Sequence, residues 1–379
     1  MPKTAGFRLF LLAILLSVCY TVSSFGAEPG LGHLVSPQLL KHANLEIAWE
    51  EQLPLMNGEK LERMFILGNH IYALSDRNYL FSFDRENGKR VFGKPVAPAG
   101  TPVGELGLYG DEFILTFGST LIEADILSGT ERKPVKIEYG IKCLPARNSS
   151  FYYISGVDKR LHVLQAKNMV QVFEVAAENN SAVTSIVADE DFVVFTTEAG
   201  NVIAISPDMP VRLWQFDAGA AIAGAVIRDR MSLFFASKDT NVYRLDIGGP
   251  TNIRLIWKYQ MPGILDRTPQ VTETTVYQYA RIKGLTAIDK ESGRYIWSLP
   301  EGIELLAEAQ EKAYVITKNR TLTIMDNMEA KKLYSVNFAQ VSKYAANTDD
   351  PKIYIGDETG RIVCLQSAKV SFFIELVVN

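Results

Sequence analysis

The chain has 379 residues, 47% hydrophobic and 22% charged, with a formal net charge of -4. Its basic and acidic residues are interspersed, which gives no electrostatic footprint for nucleic acid in the sequence. Length alone suggests two or three domains, but internal repetition overrides that prior.

In chain order, residues 1–27 read as a secretory signal. Lys3 and Arg8 precede the apolar run 9–22, and Ser24-Phe25-Gly26-Ala27 supplies small residues for cleavage. The alternative, an uncleaved anchor, would need about 20 apolar residues to span a bilayer comfortably. Cys19 is a candidate lipid-anchor site, although Val18 is large for the residue before such a cysteine. The signal directs the chain across a membrane into an oxidising compartment, a periplasm or cell envelope. After its removal only Cys143 and Cys364 remain, in well-separated repeat units, and both are expected as buried free thiols. Residues 28–44 are a lead-in with a short helical approach over 37–43, and residues 45–379 a single repeat domain.

The repeat is counted from the turn after each third strand. Asp84, Asp125, Ala166, Pro207, Asp246, Asp289, Asp326 and Ser367 share one register, with successive spacings of 41, 41, 41, 39, 43, 37 and 41. Eight units follow. A second register supports the count, because the fourth strand repeatedly carries an aromatic residue: Phe92, Phe173, Trp214, Trp257, Trp297 and Tyr334. The second unit lacks it, reading Lys133-Pro134-Val135. Trp49 fits the pattern one period ahead of Phe92 with no first three strands before it. The reading is an all-β, eight-bladed β-propeller of four-stranded antiparallel blades, its ring closed by the N-terminal strand; the competing closure uses residues 370–378. The tryptophans are expected to pack between blades, and Asp125 and Asp289 to cap their own turns.

The clearest unit spans 262–297. Gln270-Val271-Thr272, Val276–Ala280, Leu285–Asp289 and Arg294–Trp297 read as its four strands, with Glu291-Ser292-Gly293 as a tight hairpin. The run TPQV, TVY, KGLTAIDKESGRYIW resembles the repeat of the quinoprotein-type (PQQ-like) β-propellers. The loop before it, Leu265-Asp266-Arg267-Thr268-Pro269, is similar to that of the propeller lipoproteins that assist outer-membrane β-barrel assembly. That resemblance implies a partner-binding site at Asp266, Arg267 and Thr268, since the family carries acidic residues there that dock its barrel partner. Arg267 departs from the family's small or polar residue.

The four histidines, His33, His42, His70 and His162, show no HxH or HExxH spacing. Neither a GxSxG elbow nor a phosphate-cradling glycine loop is present. Quinone-dependent dehydrogenases of the resembled fold carry an adjacent Cys-Cys pair and a calcium constellation, and this chain has no such pair. No catalytic, cofactor-binding or metal-ligating residue is therefore predicted. The sequence predicts a non-enzymatic interaction scaffold with an envelope or outer-membrane protein as partner; the alternative is an oxidoreductase-like or small-ligand propeller using its central channel. Sequons at Asn148, Asn179 and Asn319 matter only in a host that glycosylates them.

Overall fold

Short runs of β-branched and aromatic residues, separated by turns rich in Gly, Asn and Asp, favour antiparallel meanders. The computed structural model describes residues 32–368, and among them eight four-stranded antiparallel sheets follow one another. The signal at 1–27, Cys19 and the segment 370–378 lie outside the described residues. Blades 1 to 7 occupy 61–95, 107–136, 146–176, 183–217, 222–260, 270–299 and 302–337; blade 8 combines 343–367 with the strand Leu45–Gln52. Helix is confined, among the described residues, to Pro37–His42 and a single 3-10 turn at Glu178–Asn180.

First strands of neighbouring blades meet around the axis, as Leu61–Leu67 does with Lys343–Ala345 and Val183–Ala188 with Ile222–Asp229. Each blade is a meander, so the loop into a first strand and the turn between strands two and three share one end of the ring, the upper face. The turns between strands one and two, and between three and four, share the lower face.

The N-terminal strand closes the ring. Leu45–Gln52 runs antiparallel to Arg361–Ser367, with Trp49 opposite Cys364, as the outermost strand of blade 8. It takes the position that the competing closure would fill. Without it, Arg361–Ser367 would present an open edge.

The core lies between blades. Tyr72, Leu74 and Leu80 of blade 1 pack with Phe113, Leu115 and Ile122 of blade 2, and Phe234 and Trp257 of blade 5 with Val276 and Ile288 of blade 6. Leu40 of the lead-in helix joins the cluster between blades 7 and 8. The tryptophans sit in this layer as expected. Three of the four use the indole N–H as a polar handle on the following blade: Trp49 donates to the Arg85 carbonyl (3.2 Å), Trp257 to the Lys290 carbonyl (2.9 Å) and Trp297 to Asn327 Oδ1 (2.7 Å). All three acceptors are the residue after a register aspartate.

Asp84, Asp125, Asp289 and Asp326 cap their turns, each Oδ1 accepting main-chain N–H groups two or three residues on. Asp125 is held below its usual carboxylate range chiefly by the Ser128 hydroxyl. Asp246 differs. Its strand continues to Gly249 and the hairpin returns from Asn252, so Asp246 accepts instead from Ser232 Oγ and Arg244 Nε. Ile247 consequently pairs with Ile253 within the ladder, and the Trp214 Nε1 facing blade 5 is buried without a partner among the described residues. One irregular hairpin accounts for both departures.

Candidate functional site

The loop at 261–269 leaves the outer strand of blade 5 and enters blade 6 on the upper face. Its ends are anchored: Met261 and Leu265 are buried, and the Met261 N–H donates to the Thr240 carbonyl (2.8 Å). Thr268 Oγ1 accepts from the Ala225 N–H (2.8 Å), and Gly224 lies so close that a Cβ there would meet this oxygen at 2.3 Å. Thr268 therefore ties blade 6 to blade 5, with its hydroxyl engaged inside the fold. Gln278 Nε2 holds the Arg267 carbonyl at 3.1 Å.

These anchors leave Asp266 and Arg267 projecting from a fixed backbone, and both are exposed. Asp266 pairs with Arg281 at 3.4 Å. Arg267 places its guanidinium 4.3 Å from the centre of the Tyr279 ring and donates to the Ile303 carbonyl (3.2 Å). Glu304 lies on the channel side of Arg267; burial raises its carboxyl above the usual range, while Arg267 and the Tyr344 hydroxyl act in the opposite direction. Tyr344 is pushed up to about 12, chiefly by burial. Sequence reasoning placed Asp266 and Arg267 correctly on one loop but missed their neighbours Arg281, Ile282 and Lys318. These occupy the turns between second and third strands of blades 6 and 7, which the repeat register brings to the same face.

The channel offers a second arrangement. A cavity of about 520 Å³ is lined by Arg63, Glu105, Glu304 and Tyr344, and Arg63 pairs with Glu105 at 3.5 Å. At the lower mouth, a cavity of about 620 Å³ includes Glu308, whose carboxylate accepts from Thr272, Thr274 and Tyr277 hydroxyls. Lys290 nearby donates to the Thr272 and Glu273 carbonyls and pairs with Asp229. These polar groups are already satisfied by the fold.

His162 has an acid at hydrogen-bond distance, Nε2 lying 2.9 Å from Asp158 Oδ2. Its Nδ1 faces Gln171 Oε1 (3.2 Å) and its ring stacks on Tyr139 at 3.8 Å. Its two nitrogens thus face Gln171 and Asp158, and the pair fastens a turn. No group of three His, Cys, Asp or Glu side chains among the described residues is placed to hold a metal ion. Cys143 and Cys364 are free, with Cys364 buried and Cys143 partly so. Asn148 is buried, bonding Tyr153 and the Asp189 carbonyl, which leaves it unfit as a glycan acceptor.

Residues 211–368 match the family model described as outer membrane protein assembly factor BamB. This segment contains both the PQQ-like unit at 262–297 and the loop 261–269. Among solved structures, BamB from Moraxella catarrhalis aligns with a TM-score of 0.65 at 14% identity, covering 85% of this chain and 97% of that one. The computationally designed Ika8 protein aligns at 0.61 and 14% identity, covering 83% and 98%. The Cps50 (Swd1) β-propeller domain of Myceliophteria thermophila aligns at 0.54 and 12% identity, covering 85% and 99%. Identities this low establish a shared fold. No curated protein sequence matches the chain.

Proposed function

We propose that this chain is a non-enzymatic interaction propeller of a periplasm or cell envelope, using the upper-face loops of blades 5 to 7 to dock an envelope or outer-membrane protein. The observation that carries the reading is the loop 261–269, whose backbone is fixed by Thr268, Leu265 and Gln278 while Asp266 and Arg267 stay exposed. A rigid loop binds without an ordering cost. The secretory signal at 1–27 and the match of 211–368 to an outer-membrane assembly factor support the location. A role in outer-membrane protein assembly, with Cys19 as a lipid anchor, is the finer form of the proposal. Replacing Asp266 and Arg267 by Ala and measuring co-purification with envelope proteins tests it: loss of a partner from a fully folded variant is the expected result.

The channel cavity between Glu304, Tyr344 and Arg63 favours a second reading, a small-ligand or quinone-dependent propeller. Adding quinone cofactor with calcium and recording absorbance separates the two, since a scaffold leaves the spectrum unchanged.

A further inference from the structure

Ile282 and Ile264 are 77% and 64% exposed at the tips of neighbouring upper-face loops. The two loops meet here: Gly263, next to Ile264 in the chain, lies against Ile282, a Cβ there falling 3.4 Å from Ile282 Cδ1. Around it the upper-face loops of blades 6 and 7 carry five cations, Arg267, Arg281, Lys283, Lys318 and Arg320, against the carboxylates Asp266 and Glu301. Both carboxylates are taken, Asp266 by Arg281 and Glu301 by Lys332 at 4.0 Å. Among the described residues, Lys283 and Lys318 have no carboxylate within ion-pair distance; the Arg320 guanidinium donates to the Ala339 carbonyl and acts electrostatically on Glu358, which Lys60 binds. Lys318 Nζ stands 5.9 Å from the centre of the same Tyr279 ring that Arg267 covers at 4.3 Å.

We infer that this surface receives an acidic segment of a partner protein that also carries apolar side chains, the isoleucine pair meeting the apolar groups and the surrounding cations the carboxylates. The inference rests on the docking reading above and names the chemistry of its partner. On the flanks the carboxylates are already paired: Glu358 of blade 8 with Lys60 at 2.8 Å, and on blade 4 Glu178 with Arg212 and Glu198 with Lys142 at 3.4 Å. The five cations lie in one sector of the upper face, a footprint that a narrow segment matches better than an extended anionic bilayer. The lower mouth, with Glu273, Glu308, Glu311, Asp349 and Asp350, would repel the same segment.

The test is isoleucine methyl NMR of the purified protein against three probes: a short peptide alternating Leu with Glu, its Leu-Lys counterpart, and vesicles of phosphatidylglycerol with phosphatidylethanolamine. The acidic peptide is expected to move the Ile264 and Ile282 signals while buried Ile324 stays still. Lys318→Glu with Arg320→Glu, both exposed and harmless to the fold, should weaken that binding by about tenfold or more. Equal response to the Lys peptide, silence toward the Glu peptide, or an unweakened double variant overturns the inference, as does movement by vesicles alone. If co-purification still depends on Asp266 and Arg267 while the Glu peptide is ignored, docking stands and the acidic-segment inference falls. A peptide response with co-purification indifferent to that loop supports the inference and removes the docking reading.

Discussion

The indole of Trp257 in blade 5 lies across Gly293 of blade 6, so closely that a Cβ at Gly293 would sit 2.6 Å from Trp257 Cγ. Gly293 also holds φ +70, a left-handed conformation that strains other residues. The same relation joins Trp49 to Gly88 and Phe92 to Gly129. Gly293→Ala should therefore cost about 2–4 kcal/mol from strain and overpacking together. Trp257→Ala should cost about 3–5 kcal/mol through its cavity. In the double variant the overpacking vanishes, so the two losses should fall short of additivity in thermal or urea unfolding. Strict additivity would mean the contact is incidental.

This relation explains what was legible in the sequence. The turn after the third strand and the outer-strand aromatic repeat at the same period because Trp49, Phe92 and Trp257 each rest on the next blade's turn. Two registers thus report one interface, and they gave the blade number and the closing strand at Trp49. The hairpin of blade 5 was not legible: Asp246 keeps its place in the count, yet the extension to Gly249 and Asn252 takes away its capping role. The neighbourhood of the proposed site was half legible. Asp266 and Arg267 lie on the loop that the family resemblance marks, but Arg281, Ile282 and Lys318 are close to them only because the meander returns successive turns to one face.

Closure gives a second prediction. Deleting residues 28–54 removes the outer strand of blade 8 and the Trp49 contact with blade 1, exposing the edge of Arg361–Ser367. Loss of cooperative unfolding, or aggregation, is expected by calorimetry. Melting like the parent would show that another segment completes the blade.

A third prediction concerns pH. His70 is buried in the first blade with Nδ1 unpartnered among the described residues, and burial lowers its pKa below the ordinary 6.5, with Asp84 opposing. Below about pH 6.5 the unfolded chain takes up a proton that the folded chain resists, so stability should fall as pH drops through that range. Urea unfolding at about pH 7.5 and about pH 5.5 should show the loss, and His70→Gln should reduce the difference between the two. An undiminished difference in the variant would assign the dependence to other groups.

A fourth prediction separates docking from folding. Asp266→Ala with Arg267→Ala removes an exposed pair and a cation–π contact worth about 0.5–1 kcal/mol, so the melting temperature should shift only slightly. Partner recovery should fall far more, since stranding a contact charge costs about 2–5 kcal/mol of affinity. Undiminished recovery of every partner would move the site off this loop.

The most direct measurement is site-specific photocrosslinking in the cell of origin. A crosslinking residue at Ile282 on the upper face is compared with one at Met328, which is 72% exposed on the lower face. The account predicts a discrete adduct with an envelope protein from position 282 and none from 328. Adducts from 328 alone, or from neither position, would contradict an upper-face docking propeller.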